Sequence, residues 1–175
     1  MAEEVFLAHG ASGSAATMAP WVAGLMERGV RGHAVPTGAR LPMRLERAME
    51  VYREQLSGRR DVVIGGVSYG GRVASMIAAE ELFDGLVLLS YPLHPPGKHD
   101  QQRTAHLSSI RCPVLFLSGD ADPFARVDLL RAVLRELPNA RLVTYPRVGH
   151  GLGRDPAVMS DCLDQVAAFA RQTAA

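Results

Sequence analysis

Residues 61–74 read DVVIGGVSYGGRVA, so an apolar, β-branched run passes directly into small residues at helical spacing. Within it, residues 66–70 form the pattern Gly-x-Ser-x-Gly around Ser68. A strand that turns sharply into a helix needs glycine on both sides of the turn, because a Cβ atom there would collide with neighbouring backbone. The segment therefore predicts an elbow that holds Ser68 in a strained conformation and projects its hydroxyl above a sheet.

Two other interpretations of this glycine-rich turn compete with the elbow. Residues 66–73 are close to the phosphate-binding pattern Gly-x-x-x-x-Gly-Lys-Ser/Thr, but Arg72 replaces the lysine and Val73 replaces the magnesium-binding hydroxyl. Alternatively, the glycines serve only close packing and the serine is incidental. The position of the turn between an apolar run and a helical pattern favours the elbow over both.

Six apolar runs alternate with segments that are mostly helical in pattern. Near-continuous apolar character is typical of strands buried on both faces of a parallel sheet. The alternation predicts a three-layer α/β/α sandwich with about six mainly parallel strands, in a single domain over residues 1–175. We expect the last two helices to follow Asp122–Pro123 and Asp155–Pro156, and Pro42 to stand near the start of the second. The six runs are residues 5–8, 32–36, 62–67, 86–90, 114–118 and 142–145.

The composition is that of an ordinary globular protein. Hydrophobic residues make up 47% of the 175 residues, charged residues 21%, and the net charge is +1. The basic residues are scattered, so no nucleic-acid partner is expected, and no apolar run approaches the ~18 residues that cross a bilayer. We read no signal peptide and expect a cytoplasmic protein, with Cys112 and Cys162 as buried free thiols.

A serine hydroxyl becomes a useful nucleophile only when a base lies within hydrogen-bond reach. His150 lies in the sequence VGHGL, just after the last predicted strand and hence at the carboxyl edge of the sheet, where Ser68 also lies. An acid is expected after the preceding strand, where GDADPF offers Asp120 and Asp122. Asp122, which precedes a proline, also suits a helix N-cap. No further acidic cluster supports a metal at these aspartates.

An acyl-transfer site also needs two backbone N–H groups that stabilise a developing oxyanion. The residue after the nucleophile, Tyr69, supplies one of them. The other is expected from the loop HGASG, residues 9–13, where the amide of Ala11, or less readily that of Ser12, points inward. Ser12 is expected to line the substrate pocket.

These four motifs in this order resemble the α/β-hydrolase superfamily: HGASG after the first strand, GVSYG at the elbow, GDADPF after the fifth strand and VGHGL after the sixth. The chain order Ser, Asp, His agrees with that superfamily. The resemblance implies Ser68 as nucleophile, His150 as base and Asp122, rather than Asp120, as the acid. It implies no cofactor.

The segment YPLHPPGK, residues 91–98, makes the chain look more like a small hydrolase family distantly similar to dienelactone hydrolases. Some eukaryotic relatives of that family belong to chromatin-modifying assemblies, so the resemblance implies the fold more strongly than the activity. We expect the chain to depart from the wider pattern by lacking the first two strands of an eight-stranded sheet and a helical cap domain. It also carries Ser68 where a dienelactone hydrolase would carry cysteine.

The connection over residues 91–111 is the longest without clear periodicity, and such a loop usually covers or forms a site. We expect its proline-rich first half to form a wall of the acyl pocket, with Leu93 in apolar contact and His94 in polar contact with the substrate. The alternative that His94 packs against its own loop stays open. His106, further along the segment, is expected to be a solvated surface residue.

The sequence thus predicts a serine hydrolase that cleaves a carboxylic ester or thioester of a small or medium acyl group through an acyl-enzyme. The expected partner is a small-molecule acyl substrate, without a cofactor or metal. Two alternatives stay open: a binding or scaffold module that keeps the fold without turnover, and an acyltransferase or peptidase that uses the same residues.

Overall fold

A six-stranded parallel sheet forms the centre of the protein in the computed structural model, which describes residues 3–39 and 41–174. The strands lie in the order β2-β1-β5-β6-β7-β8, and the two-residue strands β3 and β4 pair separately as an antiparallel ribbon. Their bounds are β1 Glu4–Ala8, β2 Arg31–Val35, β3 Gly38–Ala39, β4 Leu41–Pro42, β5 Val63–Val67, β6 Gly85–Leu89, β7 Val114–Gly119 and β8 Ala140–Tyr145.

Helices cover both faces of this sheet and complete the three layers. Two of them, α1 and α5, pack on one face, and the other three pack on the opposite face. The predicted α/β/α sandwich is therefore confirmed, and residues 3–39 and 41–174 contain no helical cap domain. The helices are α1 Ala19–Glu27, α2 Leu45–Leu56, α3 Tyr69–Glu80, α4 Val127–Arg135 and α5 Pro156–Thr173.

Successive side chains of each inner strand point to opposite faces of the sheet, so both faces need apolar residues. In β6, Leu86 and Leu88 belong to the core under α2, α3 and α4, whereas Val87 and Leu89 belong to the core under α1 and α5. All four side chains are buried. This double burial is the reason that the strands read as continuous apolar runs rather than alternating ones.

The strand order reverses between β1 and β5. From β1 the chain crosses to β2 at one edge, and from β5 it continues outward through β6, β7 and β8 on the other side. In a parallel sheet, the loops after two such strands diverge and leave a crevice at their carboxyl ends. The loop after β1 and the turn containing Ser68 therefore meet at this crevice.

Several local features differ from the sequence-based expectations. Helix α4 begins at Val127 rather than directly after Asp122–Pro123, and Pro42 lies in β4, ahead of α2.

Asp155 does cap α5, since its carboxylate accepts hydrogen bonds from the amides of Ala157 and Val158. Among the described residues, no helix is both long enough and apolar enough to cross a bilayer.

Cys112 and Cys162 are free and buried, as expected. Burial raises the pKa of each thiol to about 11. Because the thiolate is the reactive form of cysteine, both side chains behave as small apolar groups at neutral pH.

Tyr52 of α2 joins β1 to β5 from beneath the sheet. Its side chain is fully buried, and its hydroxyl donates a 2.7 Å hydrogen bond to the carbonyl of Phe6. The same hydroxyl accepts a 2.9 Å hydrogen bond from the amide of Gly65. Burial raises the pKa of Tyr52 well above its ordinary value, so the phenol stays protonated and keeps donating.

Replacing Tyr52 by Phe should lower the free energy of unfolding by roughly 1–3 kcal/mol, because a buried amide loses its acceptor while the ring volume stays the same. Urea denaturation of both proteins measures this difference. An unchanged denaturation midpoint would contradict the inferred role of the hydroxyl.

Candidate active site

Ser68 occupies a sharp turn directly between β5 and α3. Its backbone angles are φ 50° and ψ −114°, a region that residues with a side chain rarely adopt. Two backbone hydrogen bonds hold the turn. The amide of Ser68 donates to the carbonyl of Leu89 at 2.8 Å, and the carbonyl of Ser68 accepts from the backbone amide of Arg72 at 3.0 Å. The strained conformation places the serine side chain at the carboxyl edge of the sheet.

The glycines of the elbow allow the turn to pack against β1 backbone to backbone. A Cβ atom at Gly66 would lie 2.5 Å from the carbonyl carbon of Gly70 and 2.7 Å from the carbonyl oxygen of Ala8. A Cβ atom at Gly70 would lie 2.6 Å from the carbonyl oxygen of His9. Neither space admits a side chain without moving backbone, so both glycines are sterically required.

Ser68, His150 and Asp122 form one hydrogen-bonded chain. His150 Nε2 lies 2.8 Å from Ser68 Oγ, and His150 Nδ1 lies 2.8 Å from Asp122 Oδ2. Because an ionised carboxylate only accepts hydrogen bonds, the Nδ1 atom carries the proton and Nε2 is left to accept one from the serine hydroxyl. The Asp122 side chain is fully buried, whereas 28% of the His150 side chain is exposed.

The second carboxylate oxygen of Asp122 stabilises the loop that carries this residue. Asp122 Oδ1 accepts a 2.8 Å hydrogen bond from the amide of Phe124. The Phe124 ring then packs against the His150 ring, with 4.4 Å between the ring centroids. Phe124 thus supports the imidazole from one side. We did not predict this contact, although the residue lies in the GDADPF motif that marked the aspartate.

Asp120 has a different task from Asp122. Its side chain accepts a 2.6 Å hydrogen bond from the amide of Arg147, a residue with φ 59° in the turn that leads to His150. Beside it, the amide of Ala121 donates a 3.0 Å hydrogen bond to the carbonyl of Val148. The loop after β7 and the loop after β8 are therefore tied together, with Asp120 on the outside and Asp122 facing the imidazole.

The amides of Ala11 and Tyr69 lie on the two sides of the crevice. Within the part of the chain that the structure describes, neither amide donates a hydrogen bond to another protein group. His9 fixes the loop that carries Ala11, because its buried ring accepts a 3.0 Å hydrogen bond from the amide of Thr37 and donates a 2.7 Å hydrogen bond to the carbonyl of Gly10. Ala11 therefore lies on a loop that the hydrogen bonds of His9 hold in place.

An open cleft of about 370 Å³ lies over Ser68. Ser12, Val67 and Ser68 are among the residues that line it. No group of three or more His, Cys, Asp or Glu side chains suited to a metal ion occurs among the described residues. The cleft is lined by Gly10, Ala11, Ser12, Val67, Ser68, Phe124, His150, Gly151 and Arg154.

Leu93 and His94 are not in this wall, and that expectation is corrected. Both side chains are fully buried, and Leu93 packs in the core beneath α2, α3 and α4. His94 accepts a 3.1 Å hydrogen bond from the amide of Arg126 at Nε2, and its Nδ1 donates to the carbonyl of Pro95 at 2.9 Å. The segment turns inward because the amide of His94 also donates to the carbonyl of Phe124 at 3.0 Å. His94 thus contacts its own loop at Pro95 and the loop after β7 at Phe124 and Arg126, rather than the cleft.

The comparison with family models agrees with this geometry. Residues 1–173 match the model described as "Alpha/beta hydrolase domain". The chain belongs to this α/β-hydrolase family. The match extends over nearly all of the chain, including the elbow, the acidic loop and the histidine loop.

Solved structures of other α/β-hydrolases superpose on most of the chain. A monoacylglycerol lipase from Paleococcus ferrophilus is 16% identical, with a TM-score of 0.79 over 97% of this chain and 94% of that one. A dienelactone hydrolase from Anabaena variabilis is 19% identical, with a TM-score of 0.78 over 98% and 86%. Est1E from Butyrivibrio proteoclasticus, solved with ferulic acid, is 15% identical, with a TM-score of 0.77 over 97% and 90%. At these identities the likeness concerns the fold.

Replacing Gly66 by Ala should lower the free energy of unfolding by roughly 1–3 kcal/mol, because the new methyl group has no space between Gly70 and Ala8. Gly153→Ala is a matched control, since a Cβ atom there meets only Trp21 and Met159 at 3.5 Å or more. Chemical denaturation of the two variants compares them. Equal stability of the two variants would contradict the steric role of Gly66.

Proposed function

We propose that this α/β-hydrolase is a serine hydrolase that cleaves a carboxylic ester or thioester of a small or medium acyl group. The observation that carries the proposal is the hydrogen-bonded chain from Ser68 Oγ through His150 to the buried carboxylate of Asp122. The base stands within hydrogen-bond distance of both the nucleophile and the orienting acid, which is the geometry that covalent acyl transfer requires.

In the proposed reaction, Ser68 Oγ attacks the carbonyl carbon of the substrate while His150 Nε2 takes the hydroxyl proton. The carbonyl oxygen gains negative charge, and in this proposal the amides of Ala11 and Tyr69 stabilise it. Asp122 stabilises the imidazolium and keeps its orientation. His150 then protonates the leaving alcohol or thiol, an acyl-enzyme forms at Ser68, and water activated by the same imidazole releases the acid.

The shape of the cleft supports a small or medium acyl group. The cleft of about 370 Å³ is open, and no helical cap encloses it within the described residues. Its wall combines apolar side chains, such as Val67 and Phe124, with few polar groups, a composition typical of pockets for organic ligands. The name of the superposed monoacylglycerol lipase supports an ester bond as the point of cleavage.

A fluorophosphonate probe tests the nucleophile directly, because it forms a covalent bond only with an activated serine. The parent protein should be labelled at Ser68 and should hydrolyse short p-nitrophenyl esters, whereas Ser68→Ala should lose both properties and keep its unfolding midpoint. Intact-protein mass spectrometry and an ester panel extended by acyl-thioesters provide the readouts. A parent protein that neither reacts nor hydrolyses would instead favour a binding or scaffold role.

The two neighbouring aspartates provide an internal comparison. Asp122→Asn should lower kcat by roughly 10³–10⁴, because the amide holds the imidazole in the wrong tautomer. Asp120→Asn should have a far smaller effect, since its carboxylate only supports the turn at Arg147. Steady-state kinetics on one ester measures both variants. A larger loss of kcat in Asp120→Asn would show that Asp120, and not Asp122, is the acid.

A further inference from the structure

A second cavity, the side chamber, adjoins the cleft over Ser68. Its volume is about 310 Å³, compared with about 370 Å³ for the cleft itself. Gly10, Ser12 and Val67 line both spaces. A group attached at Ser68 can therefore reach the side chamber by passing over Gly10 and Val67. The other residues that line the side chamber are Gly13, Thr17, Met18 and Trp21.

Gly10 leaves free space at the junction of the two cavities. A Cβ atom at Gly10 would lie 3.6 Å from the carbonyl oxygen of Val67, 3.9 Å from Val67 Cγ1 and 3.7 Å from Ser68 Cβ. These are ordinary van der Waals distances, so a methyl group would fit there without a clash. Because glycine has no side chain, this space stays open directly beside the proposed nucleophile.

The side chamber has an apolar, uncharged wall. Met18 and Trp21 form its apolar part, and both belong to the core under α1 and α5, which holds them in place. The hydroxyl of Thr17 is used within its own turn, because it donates a 2.6 Å hydrogen bond to the carbonyl of Ser14. The described residues that line the chamber include no charged side chain. Such a wall suits a hydrocarbon group and disfavours an ion.

The position of His150 indicates which part of an ester lies in the side chamber. In the proposed reaction His150 Nε2 protonates the leaving alcohol or thiol, so that group has to lie beside the imidazole. His150 lines the cleft over Ser68, together with Phe124 and Arg154, and is not one of the residues that line the side chamber. The leaving group therefore fits the cleft on the His150 side, and the acyl group is the part that extends away from it.

We propose that the side chamber is the acyl subsite and that it selects uncharged hydrocarbon acyl groups of medium length, such as hexanoyl. This inference rests on the proposed serine hydrolase function and specifies its substrate class. Met18 and Trp21 provide the apolar contact for the end of the chain, and the missing side chain at Gly10 provides the passage. An acetyl group ends beside Ser68 and does not extend into the chamber.

The acyl subsite predicts a preference that steady-state kinetics can measure. Each methylene that moves from water to an apolar wall should raise kcat/KM by roughly two- to fourfold, so ethyl hexanoate should exceed ethyl acetate by at least roughly tenfold. Monoethyl adipate ends in a carboxylate where ethyl hexanoate ends in a methyl group. Its kcat/KM should be at least roughly tenfold lower than that of ethyl hexanoate, because the chamber offers no partner for the charge.

Gly10→Ala tests the passage, because the new methyl group fills the space beside Val67 and Ser68. The ratio of kcat/KM for ethyl hexanoate to kcat/KM for ethyl acetate should fall by roughly fivefold or more, since only the longer chain crosses this point. Using the ratio cancels any general effect on activity of a change so close to Ala11. Gly153→Ala is the matched control, because Gly153 lines neither cavity and the ratio should stay at the parent value.

Trp21 is the only tryptophan in the chain, so its fluorescence reports on the side chamber without any need for turnover. In Ser68→Ala, ethyl hexanoate should change the tryptophan emission along a saturable curve. Ethyl acetate and monoethyl adipate at the same concentrations should leave the emission unchanged. Adding Gly10→Ala to Ser68→Ala should weaken the binding of ethyl hexanoate by roughly fivefold or more.

The outcomes distinguish failure of this inference from failure of the proposed function. A parent protein that hydrolyses no ester, although its Ser68→Ala form binds ethyl hexanoate at Trp21, would contradict the hydrolase and support the chamber as the site of the acyl chain. A parent protein that hydrolyses ethyl acetate or monoethyl adipate as well as ethyl hexanoate would overturn the acyl subsite and leave the hydrolase standing. The acyl subsite is equally overturned if Gly10→Ala keeps the chain-length preference of Gly153→Ala.

Discussion

The close packing of the elbow on β1 is the constraint on which the rest of the site depends. The turn from Gly66 to Gly70 lies directly against the carbonyl groups of Ala8 and His9, with no room for a side chain between them. The hydroxyl of Ser68, the free amide of Tyr69 and the loop that carries Ala11 therefore belong to one rigid unit. Tyr52 joins the same two strands from below through hydrogen bonds to Phe6 and Gly65. Backbone contact, rather than side-chain packing, thus sets the spacing between the proposed nucleophile and the proposed oxyanion donors.

The loops after β7 and β8 form a second rigid unit, which carries Asp122 and His150, the other two members of the hydrogen-bonded chain. The loops after β7 and β8 are tied by the hydrogen bond from Ala121 to Val148 and by the carboxylate of Asp120 at Arg147. A Cβ atom at Gly119 would lie 2.6 Å from the carbonyl oxygen of Gly149, so these loops also meet backbone to backbone. Asp120 thus shapes the turn at Arg147, whereas Asp122 orients the imidazole of His150. The hydrogen bond from Ser68 to His150 then joins the two rigid units.

The fold could be predicted because local sequence patterns determine its strands and its elbow. The wall of the cleft could not, because it depends on tertiary contacts. Apolar runs and the glycines around Ser68 report burial and close approach wherever they occur. The choice of Asp122 over Asp120 came from family resemblance, because both follow the same strand and their side chains differ only in direction. Leu93 and His94 were misplaced for a similar reason. A proline-rich apolar loop has the same composition whether it faces a cleft or the core. The burial of Leu93 and His94, together with the hydrogen bond from the Arg126 amide to His94, shows that this loop faces the core.

The hydrogen bond between His150 and Ser68 joins residues that are 82 positions apart in the chain. Contacts of such high sequence separation form late, because the chain entropy of closing a long loop must be overcome first. In a chain that had formed only the elbow, Ser68 would lack the base that is proposed to activate it. The proposed nucleophile meets its proposed base only when the loop after β8 has reached the elbow. The proposed chemistry is thus a property of the completely folded chain and not of the elbow alone.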